Sequence, residues 1–264
     1  MSQTVLVTGA SSGIGQATAQ LLVQRGYTVF GTARKPGAAA TGITMVPLDV
    51  RSDDSVRTCI DRVRSQAGRL DVLVNNAGYS LMGAVEETSV AEAKAQFETN
   101  FFGVVRMVNA VLPAMRAAGS GKIINIGSLA GITAIPFGGF YTATKFAIEG
   151  YSEALWHELR PLGIHVSVIE PGFVHTQIGD ATQIAQTPLT AYEAVRKRAT
   201  AALARQVKNG IAPEAVAKAV LRAIESHTPA LRYRVGTNAV WFPRLKQVAP
   251  WPVFAAGVRR TFDV

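Results

Sequence analysis

The sequence has few of the residues that build disulfide-bonded or metal-dependent proteins. Its 264 residues include one cysteine, Cys59, which excludes an internal disulfide. The four histidines, His157, His165, His175 and His227, show no metal-ligand spacing and no acidic cluster beside them. We therefore expect no metal site, and the single cysteine fits a reducing compartment.

Two long stretches lack charged side chains. Residues 1–24 have neither the basic start nor the continuous apolar centre of an export signal. Residues 123–144 are long enough to span a bilayer, yet they contain Asn125, Pro136 and several glycines. The sequence therefore predicts no transmembrane segment, and we expect a cytoplasmic protein.

Acidic residues are scarce in the last part of the chain. Residues 1–190 hold 14 basic and 14 acidic side chains, whereas residues 191–264 hold 13 and 4, so this part carries the whole net charge of +9. The segment 236–264 adds aromatic residues, among them Trp241 and Trp251. This mixture suits an anionic membrane surface, an acidic ligand or nucleic acid, and a solvated surface over a hydrophobic tail is the alternative.

Strand-like runs alternate with helical patterns along most of the chain. The predicted strands are Thr4–Val7, Thr28–Gly31, Ile43–Pro47, Val72–Val74, Lys122–Ile126 and His165–Ile169. The predicted helices are Ile14–Gln24, Asp53–Ala67, Val90–Ala117, Tyr141–Leu159 and Leu189–Gln206. The alternation predicts an α/β fold: one domain over residues 1–264, with a Rossmann-type doubly wound parallel sheet and helices on both faces.

A glycine-rich turn joins the first predicted strand to the first predicted helix. It reads Thr8-Gly9-Ala10-Ser11-Ser12-Gly13-Ile14-Gly15. Glycines permit a tight turn and the close approach of a pyrophosphate, whose charge then lies at a helix N-terminus. The turn therefore indicates a dinucleotide site.

Tyr141 and Lys145 are four residues apart in a predicted helix, and Ser128 lies thirteen positions upstream of Tyr141. Residues i and i+4 share one helix face, so the Lys145 ammonium can favour the ionised form of the Tyr141 phenol and lower its pKa. A tyrosine with that pKa can act as a general acid or base. Taken alone, the pair is also compatible with a solvated helix face.

Together these motifs resemble those of the short-chain dehydrogenase/reductase family, with a similarity that extends from Thr4 to about Thr176. The matching residues are Gly9, Gly13 and Gly15; Asp49-Val50; Asn75-Asn76-Ala77-Gly78; Asn100, Ser128, Tyr141 and Lys145; and Pro171-Gly172 with Thr176. The resemblance implies a catalytic tetrad of Asn100, Ser128, Tyr141 and Lys145. It also implies a mobile substrate lid over residues 173–210, for which a structural loop is the alternative, and a homo-oligomer.

The resemblance also assigns residues to a nicotinamide dinucleotide. They are Gly9, Ser11, Ser12, Gly13, Ile14, Gly15, Arg34, Asp49, Val50, Asn76, Ala77, Gly78, Tyr141, Lys145, Pro171, Gly172 and Thr176. A helix cap is the alternative role for Asp49, a strand-end turn for Asn76 and a strand-end cap for Ser128.

The end of the second predicted strand favours NADP(H). Ala33 and Arg34 offer no carboxylate to the ribose hydroxyls, whereas Arg34 can bind a 2′-phosphate and Lys35 adds positive charge. Ser12 departs from many NADP-preferring relatives, which have a second basic residue in the glycine turn.

These features predict an oxidoreductase that transfers a hydride between nicotinamide and a hydrophobic ketone or secondary alcohol, with Tyr141 as general acid or base. Apolar residues in the loops at 129–132, 135–137 and 173–174 favour such a substrate. The chain is also similar to hydroxysteroid and retinol dehydrogenase-like members. Two alternatives are a non-catalytic NADP(H) sensor and a protein that binds lipid surfaces or nucleic acid through its C-terminal segment, although we expect no nucleic-acid partner.

Overall fold

The computed structural model describes residues 2–37, 41–176 and 182–264. The strands in these residues are β1 (Thr4–Val7), β2 (Thr28–Ala33), β3 (Ile43–Pro47), β4 (Val72–Asn75), β5 (Leu81–Met82), β6 (Gly121–Ile126), β7 (Ile164–Pro171), β8 (Gln183–Ile184) and β9 (Arg232–Val235). The α-helices are α1 (Gly13–Gln24), α2 (Asp53–Ala67), α3 (Val90–Phe97), α4 (Gly103–Ala118), α5 (Gly139–Leu159), α6 (Glu193–Lys208), α7 (Pro213–Glu225), α8 (Thr237–Val248) and α9 (Trp251–Phe262).

The main sheet is parallel throughout and has the strand order β3-β2-β1-β4-β6-β7-β9. The chain runs outward from β1 to β3 and then returns to place β4 on the other side of β1. This reversal is a topological switch point, where open α/β sheets bind ligands beyond the carboxyl ends of their strands. The predicted doubly wound parallel fold is confirmed.

Successive side chains of the central strands enter two different hydrophobic cores. In β1, Leu6 packs into a core shared with α2, α4 and α5, whereas Val5 and Val7 pack into a second core shared with α1 and α7. Neighbouring side chains of a strand point to opposite faces of a sheet. Because helices cover both faces, the central strands need apolar residues at nearly every position, which explains their near-continuous hydrophobic runs.

All six predicted strands are present, but the seventh strand, β9, was missed. Its sequence alternates basic residues with Tyr233 and Val235, and it lies at the sheet edge, where only β7 pairs with it. Helices α7, α8 and α9 were missed as well. The helix predicted at Leu189–Gln206 begins later, at Glu193, because Thr190–Tyr192 forms a 3₁₀ turn.

The helix predicted over Val90–Ala117 is interrupted by a π-helical segment at Glu98–Phe102, which separates α3 from α4. Residues 90–118 are together long and apolar enough, by length and composition, to cross a membrane. In the fold, however, Met107, Val111 and Met115 of this helix lie in the hydrophobic core.

The predicted lid region, residues 173–210, lies beside the carboxyl ends of the strands. Its residues 177–181 are outside the described residues. Strand β8 of this region pairs with β5, and α6 follows it. Helix α9 then packs against α6, so the C-terminal segment supports the lid region.

Candidate active site

The predicted site motifs converge at one edge of the sheet. The glycine turn follows β1, Asn76 follows β4, Ser128 follows β6, and Pro171 ends β7. These strands are neighbours in the sheet and run in the same direction, so their carboxyl ends meet. The first two turns of α5 add Tyr141 and Lys145 to the same edge.

The glycine turn has the backbone geometry that its sequence predicts. Gly9 and Gly13 have φ angles of 65° and 55°, in the left-handed region that favours glycine. Gly15 is buried and does not line the dinucleotide-sized cavity. A Cβ atom at Gly15 would lie 2.3 Å from the Gly9 carbonyl oxygen, so this glycine lets α1 pack against the turn.

Asn76 and Thr8 hold the turn in place. Asn76 Nδ2 donates to the carbonyl oxygens of Thr8 and Gly9 at 2.9 and 3.0 Å. Thr8 Oγ1 accepts from the backbone N–H groups of Asn76 and Ala77. Asn76 also lines the adjacent cavity, so its structural role at the strand end coexists with a position suited to ligand binding.

A cavity of about 790 Å³ extends from the glycine turn along the ends of β2 and β4. The predicted cofactor residues on its wall are Gly9, Ser11, Ser12, Gly13, Ile14, Arg34, Asp49, Val50, Asn76, Ala77, Gly78 and Thr176. The backbone forms much of this wall, and the side chain of Arg34 is exposed at it. Such a surface suits a phosphorylated nucleotide.

Asp49 binds Arg51, which sequence reasoning missed. Arg51 Nε and Nη2 donate to the two oxygens of Asp49 at 2.9 and 2.7 Å. The hydrogen bond from the Arg51 side chain lowers the pKa of Asp49 to about 2. The side chain of Ser52 caps α2, so the alternative role of Asp49 as the helix cap is wrong. Arg51 also lines the cavity with Arg34.

Asn100 lies in the π-helical segment and is buried. Its amide group binds the backbone of Tyr79 twice: Nδ2 donates to the carbonyl oxygen at 2.9 Å, and Oδ1 accepts from the N–H at 3.0 Å. Nδ2 also lies 3.3 Å from Thr144 Oγ1 in α5. Asn100 therefore connects this interrupted helix to the loop after β4 and to the helix that carries Tyr141.

Ser128, Tyr141 and Lys145 are brought together as predicted. All three side chains line the same cavity. Lys145 Nζ lies 5.8 Å from the centre of the Tyr141 ring and donates to the Ile126 carbonyl oxygen at 2.8 Å. Ser128 Oγ also accepts from Ala130 N at 3.0 Å, so its alternative role as a strand-end cap holds at the same time.

The predicted lowering of the Tyr141 pKa is not found. Burial raises the pKa of the phenol above its ordinary value, and the hydrogen bond with Ser128 opposes that rise. Burial also lowers the pKa of Lys145, to about 8, while the charge of Glu149 opposes this change. Tyr141 is therefore a neutral phenol at neutral pH, the form that can donate a proton.

A second cavity, of about 570 Å³, adjoins the first and shares Ile14, Asn76, Gly78 and Thr176 with it. The whole tetrad lines it, as do Pro171, Gly172 and His175. Its remaining wall is largely apolar. The predicted contributors Leu129, Ile135, Phe173 and Val174 are present, and sequence reasoning missed Met82, Ile184, Leu203, Val207, Phe242 and Phe262.

Three glutamates attach the lid region to the segment that follows β5. Glu87 is buried, and its Oε1 accepts from Leu189 N at 2.8 Å and pairs with Arg196. Glu92 Oε1 accepts from Gln186 N, and Tyr192 donates to Glu86. The lid region is thereby fixed over the apolar cavity.

The sequence model of the short chain dehydrogenases matches residues 3–187. A 3-ketodihydrosphingosine reductase of Bacteroides thetaiotaomicron is 42% identical over 238 residues, which cover 89% of this chain and 88% of that protein. Human retinol dehydrogenase 8 is 37% identical over 263 residues, which cover 91% and 83% of the two chains.

Solved structures agree with this similarity. A short-chain dehydrogenase from Streptomyces avermitilis superposes with a TM-score of 0.83, at 34% identity and 98% coverage of both chains. Two further structures are 26% identical: one from Burkholderia cenocepacia with NADP (TM-score 0.76, 97% of both chains) and one from Burkholderia phymatum with NAD (TM-score 0.77, 98% of this chain and 92% of that one). This chain belongs to the short-chain dehydrogenase/reductase family of oxidoreductases, which act on CH–OH or C=O groups.

Proposed function

We propose that the protein is an NADPH-dependent reductase of ketones that carry a long apolar chain. The proposal rests on one observation: two cavities of different chemical character adjoin each other. One has the glycine turn and basic residues expected of a dinucleotide site, and the other is apolar. The tetrad lines the apolar cavity, and Ile14, Asn76, Gly78 and Thr176 line both cavities.

The first cavity fits NADP(H). Gly9 and Gly13 open the turn to a pyrophosphate, and Arg34 is exposed to receive a 2′-phosphate. Within the described part of the chain, Arg34 forms no ion pair that would compete with this role, whereas Asp49 is occupied by Arg51. When bound, the dinucleotide supplies a hydride to the carbonyl carbon of the substrate.

Tyr141 supplies the proton that completes the reduction. The substrate oxygen lies between the hydroxyl groups of Tyr141 and Ser128, gains negative charge as the carbonyl bond is reduced, and takes the Tyr141 proton to become the alcohol oxygen. Ser128 donates a hydrogen bond to the developing charge, and one such donor contributes about 3 to 4 kcal/mol. The Lys145 ammonium stabilises the tyrosinate that remains.

The apolar cavity supports a hydrophobic chain on the substrate. Phe242 of α8, Phe262 of α9 and Leu203 of α6 form its outer wall, far along the chain from the tetrad. Its volume of about 570 Å³ lies within the usual range of small-molecule sites. Similarity to proteins named for 3-ketodihydrosphingosine and retinol supports the same class of substrate.

A panel of ketones tests this function. With NADPH present, absorbance of the nicotinamide should fall for methyl ketones of increasing chain length, and KM should decrease as the chain fills the apolar cavity. Phe262→Ala should weaken this dependence on length, because it removes an aromatic wall. NADPH binding without turnover of any ketone or of the matching alcohols with NADP⁺ would instead support a non-catalytic sensor.

We also propose that the C-terminal helices contact an anionic membrane from which such substrates are taken up. Five large apolar side chains, 48–80% exposed, cluster in α8 and the start of α9: Trp241, Leu245, Val248, Trp251 and Val253. The first three recur at helical spacing and form one stripe. The neighbouring Phe242 lines the substrate cavity, so the stripe lies near that cavity.

Charge favours a membrane over a second copy of the chain on this surface. Residues 236–262, which contain α8 and α9, include four basic and no acidic side chains. Two copies would therefore bring like charges together, whereas an anionic surface attracts each exposed Lys or Arg by about 1 kcal/mol. Arg244 lies beside this stripe, with its guanidinium carbon 5.5 Å from the centre of the Trp241 ring.

Vesicle binding distinguishes this surface from its alternatives. Val248→Ser combined with Val253→Ser should weaken binding to phosphatidylserine vesicles at least about fivefold, because both side chains are exposed apolar groups. The matched control is Val85→Ser with Val90→Ser, two valines of similar exposure elsewhere. Equal effects of the two pairs, or retention on DNA but not on vesicles, contradict the membrane proposal.

A further inference from the structure

Two buried glutamates lie behind the tetrad and have no role in the proton transfer described above. Glu149 follows Lys145 by one helical turn in α5, so Tyr141, Lys145 and Glu149 form a ladder at i, i+4 and i+8 along one face. Glu170 lies in β7 and is fully buried, and Glu149 is 8% exposed. A buried carboxylate needs compensation by hydrogen bonds or positive charge.

Each glutamate has one oxygen that is satisfied by an arginine of β9. Arg232 Nε donates to Glu149 Oε2, and Arg234 Nε donates to Glu170 Oε2, both at 3.0 Å. The second oxygen, Oε1, is different. In both glutamates it is buried and, among the described residues, accepts no hydrogen bond from an N–H or hydroxyl group. Arg232 Nε approaches Glu170 Oε1 only to 3.4 Å.

A proton shared between the two carboxyl groups accounts for both of these oxygens. The carboxyl groups of Glu149 and Glu170 lie beside the same guanidinium group, because Arg232 Nε is 3.0 Å from Glu149 Oε2 and 3.4 Å from Glu170 Oε1. Two ionised carboxylates cannot hydrogen-bond to each other, because each is only an acceptor, whereas a protonated carboxyl group can donate a hydrogen bond. Like charges in one buried site also favour retention of a proton.

We propose that Glu149 and Glu170 share one proton through their Oε1 atoms, and that this carboxyl pair positions Lys145 and maintains its positive charge. The proposal rests on the proposed function, in which Lys145 stabilises the tyrosinate. Burial and the charge of Glu170 raise the pKa of Glu149, and burial raises the pKa of Glu170. Both directions agree with a retained proton.

The loop that carries Ser128 packs directly on the carboxyl pair. A Cβ atom at Gly127 would lie 3.0 Å from Glu149 Oε1. A Cβ atom at Gly131 would lie 3.1 Å from Glu149 Cγ and 2.9 Å from the Lys145 carbonyl oxygen. These two glycines leave room for Glu149 on both sides of Ser128. Substitution of Glu149 should therefore alter the positions of Lys145 and Ser128, although Glu149 itself does not contact the substrate.

The charge of the pair should extend the pH range over which Lys145 stays protonated. The charged groups next to the carboxyl pair are Lys145 on α5 and Arg232 and Arg234 on β9, and Glu153 on α5 shares Arg232 with Glu149. As pH rises, the pair loses its shared proton and gains a second negative charge. That negative charge stabilises the Lys145 ammonium at pH values where burial alone would favour the neutral amine.

Glu149→Gln tests the positioning role, with Glu153→Gln as the matched control. Glu153 lies on the same helix and binds the same Arg232, but its side chain is half exposed. In Glu149→Gln, the alkaline limb of kcat/KM for ketone reduction should move to lower pH by about one unit. Below that limb, NADPH affinity should stay within about threefold of wild type, because the fold and the tetrad are retained. Glu153→Gln should keep the wild-type profile.

Infrared spectroscopy tests the shared proton without relying on activity or on a folded variant. The wild-type spectrum should keep the C=O band of a protonated carboxyl group at pH values where free glutamates have ionised. The band should be lost in folded Glu149→Gln and Glu170→Gln. Its absence from the wild type, or an unchanged pH profile in Glu149→Gln, overturns the proposal. If the protein reduces no ketone, the proposed function fails, and the infrared band still decides whether the pair exists.

Discussion

Glu87 binds the lid region through a buried carboxylate, and Glu87→Gln is the smallest change that tests this role. The wild-type carboxylate accepts from Leu189 N through Oε1 and from Ala84 N through Oε2, both at 2.8 Å, and it pairs with Arg196. Glutamine keeps the shape of the side chain. However, it removes the charge and turns one acceptor into a donor that faces an existing N–H group.

The magnitude follows from the contacts that are lost. Removal of one partner of a buried ion pair lowers stability by about 3 to 5 kcal/mol, and leaving one buried hydrogen-bond donor unpaired lowers it by about 1 to 3 kcal/mol. The Glu87 side chain is buried, but that of its partner Arg196 is 16% exposed, so we expect about 2 to 3 kcal/mol. Because each 1.36 kcal/mol is a factor of ten, lid closure should be disfavoured by about 30- to 150-fold.

Steady-state kinetics with a long-chain ketone measure this effect. Glu87→Gln should raise KM at least about tenfold and leave NADPH affinity within about threefold, since Glu87 lies outside the dinucleotide cavity. Glu86→Gln is the control: its carboxylate accepts from Tyr192 at the exposed surface, so KM should change less than about twofold. Equal effects of the two variants, or a KM unchanged in Glu87→Gln, refute the reasoning.

Three further predictions concern pH, stability and cofactor choice. Burial raises the pKa of Glu87, but hydrogen bonds from backbone N–H groups and the Arg196 side chain outweigh it, so the folded pKa lies below the ordinary value. The contribution of Glu87 to the free energy of unfolding should therefore be complete above about pH 4.3 and be lost as pH falls through the lowered pKa. Acid unfolding of the wild type and of Glu87→Gln measures this difference. Asn100→Ala leaves the N–H of Tyr79 unpaired, while Gln96 still donates to the Tyr79 carbonyl, so urea unfolding should show a loss of about 1 to 3 kcal/mol, and an unchanged value contradicts the proposed connection. Ala33→Asp with Arg34→Ala should shift the ratio of kcat/KM values toward NADH, and an equal preference in the wild type shows that Arg34 does not select the phosphate.

The central strands could be predicted from sequence because both of their faces are buried. Such strands require runs of branched apolar residues, and β1 and β4 have them. Strand β9 has a single neighbour and alternates Arg232 and Arg234 with less polar residues, so its local pattern is weak. Its arginines pair with Glu149 and Glu170, which are distant in sequence, so the local sequence does not indicate where this strand lies.

The site could be predicted to the extent that it consists of local motifs. The tetrad and the glycine turn have fixed spacings, and the fold brings them to one edge. Phe242 and Phe262 line the substrate cavity through tertiary packing of α8 and α9, which no spacing encodes. Arg51 was missed because its pairing with Asp49 depends on the conformation of the loop before α2. Burial, which raises the pKa of Tyr141, depends on the fold and is not encoded in the spacing of Tyr141 and Lys145.

Substitution of Tyr141 by phenylalanine tests the central claim most directly. The change removes the hydroxyl group and keeps the ring, so the fold and the dinucleotide cavity should persist. With NADPH and the best ketone of the panel, kcat should fall at least about 100-fold, while the Kd for NADPH changes less than about threefold. A variant that folds, binds NADPH and retains kcat within a few fold of wild type would contradict the role of Tyr141 as the proton donor.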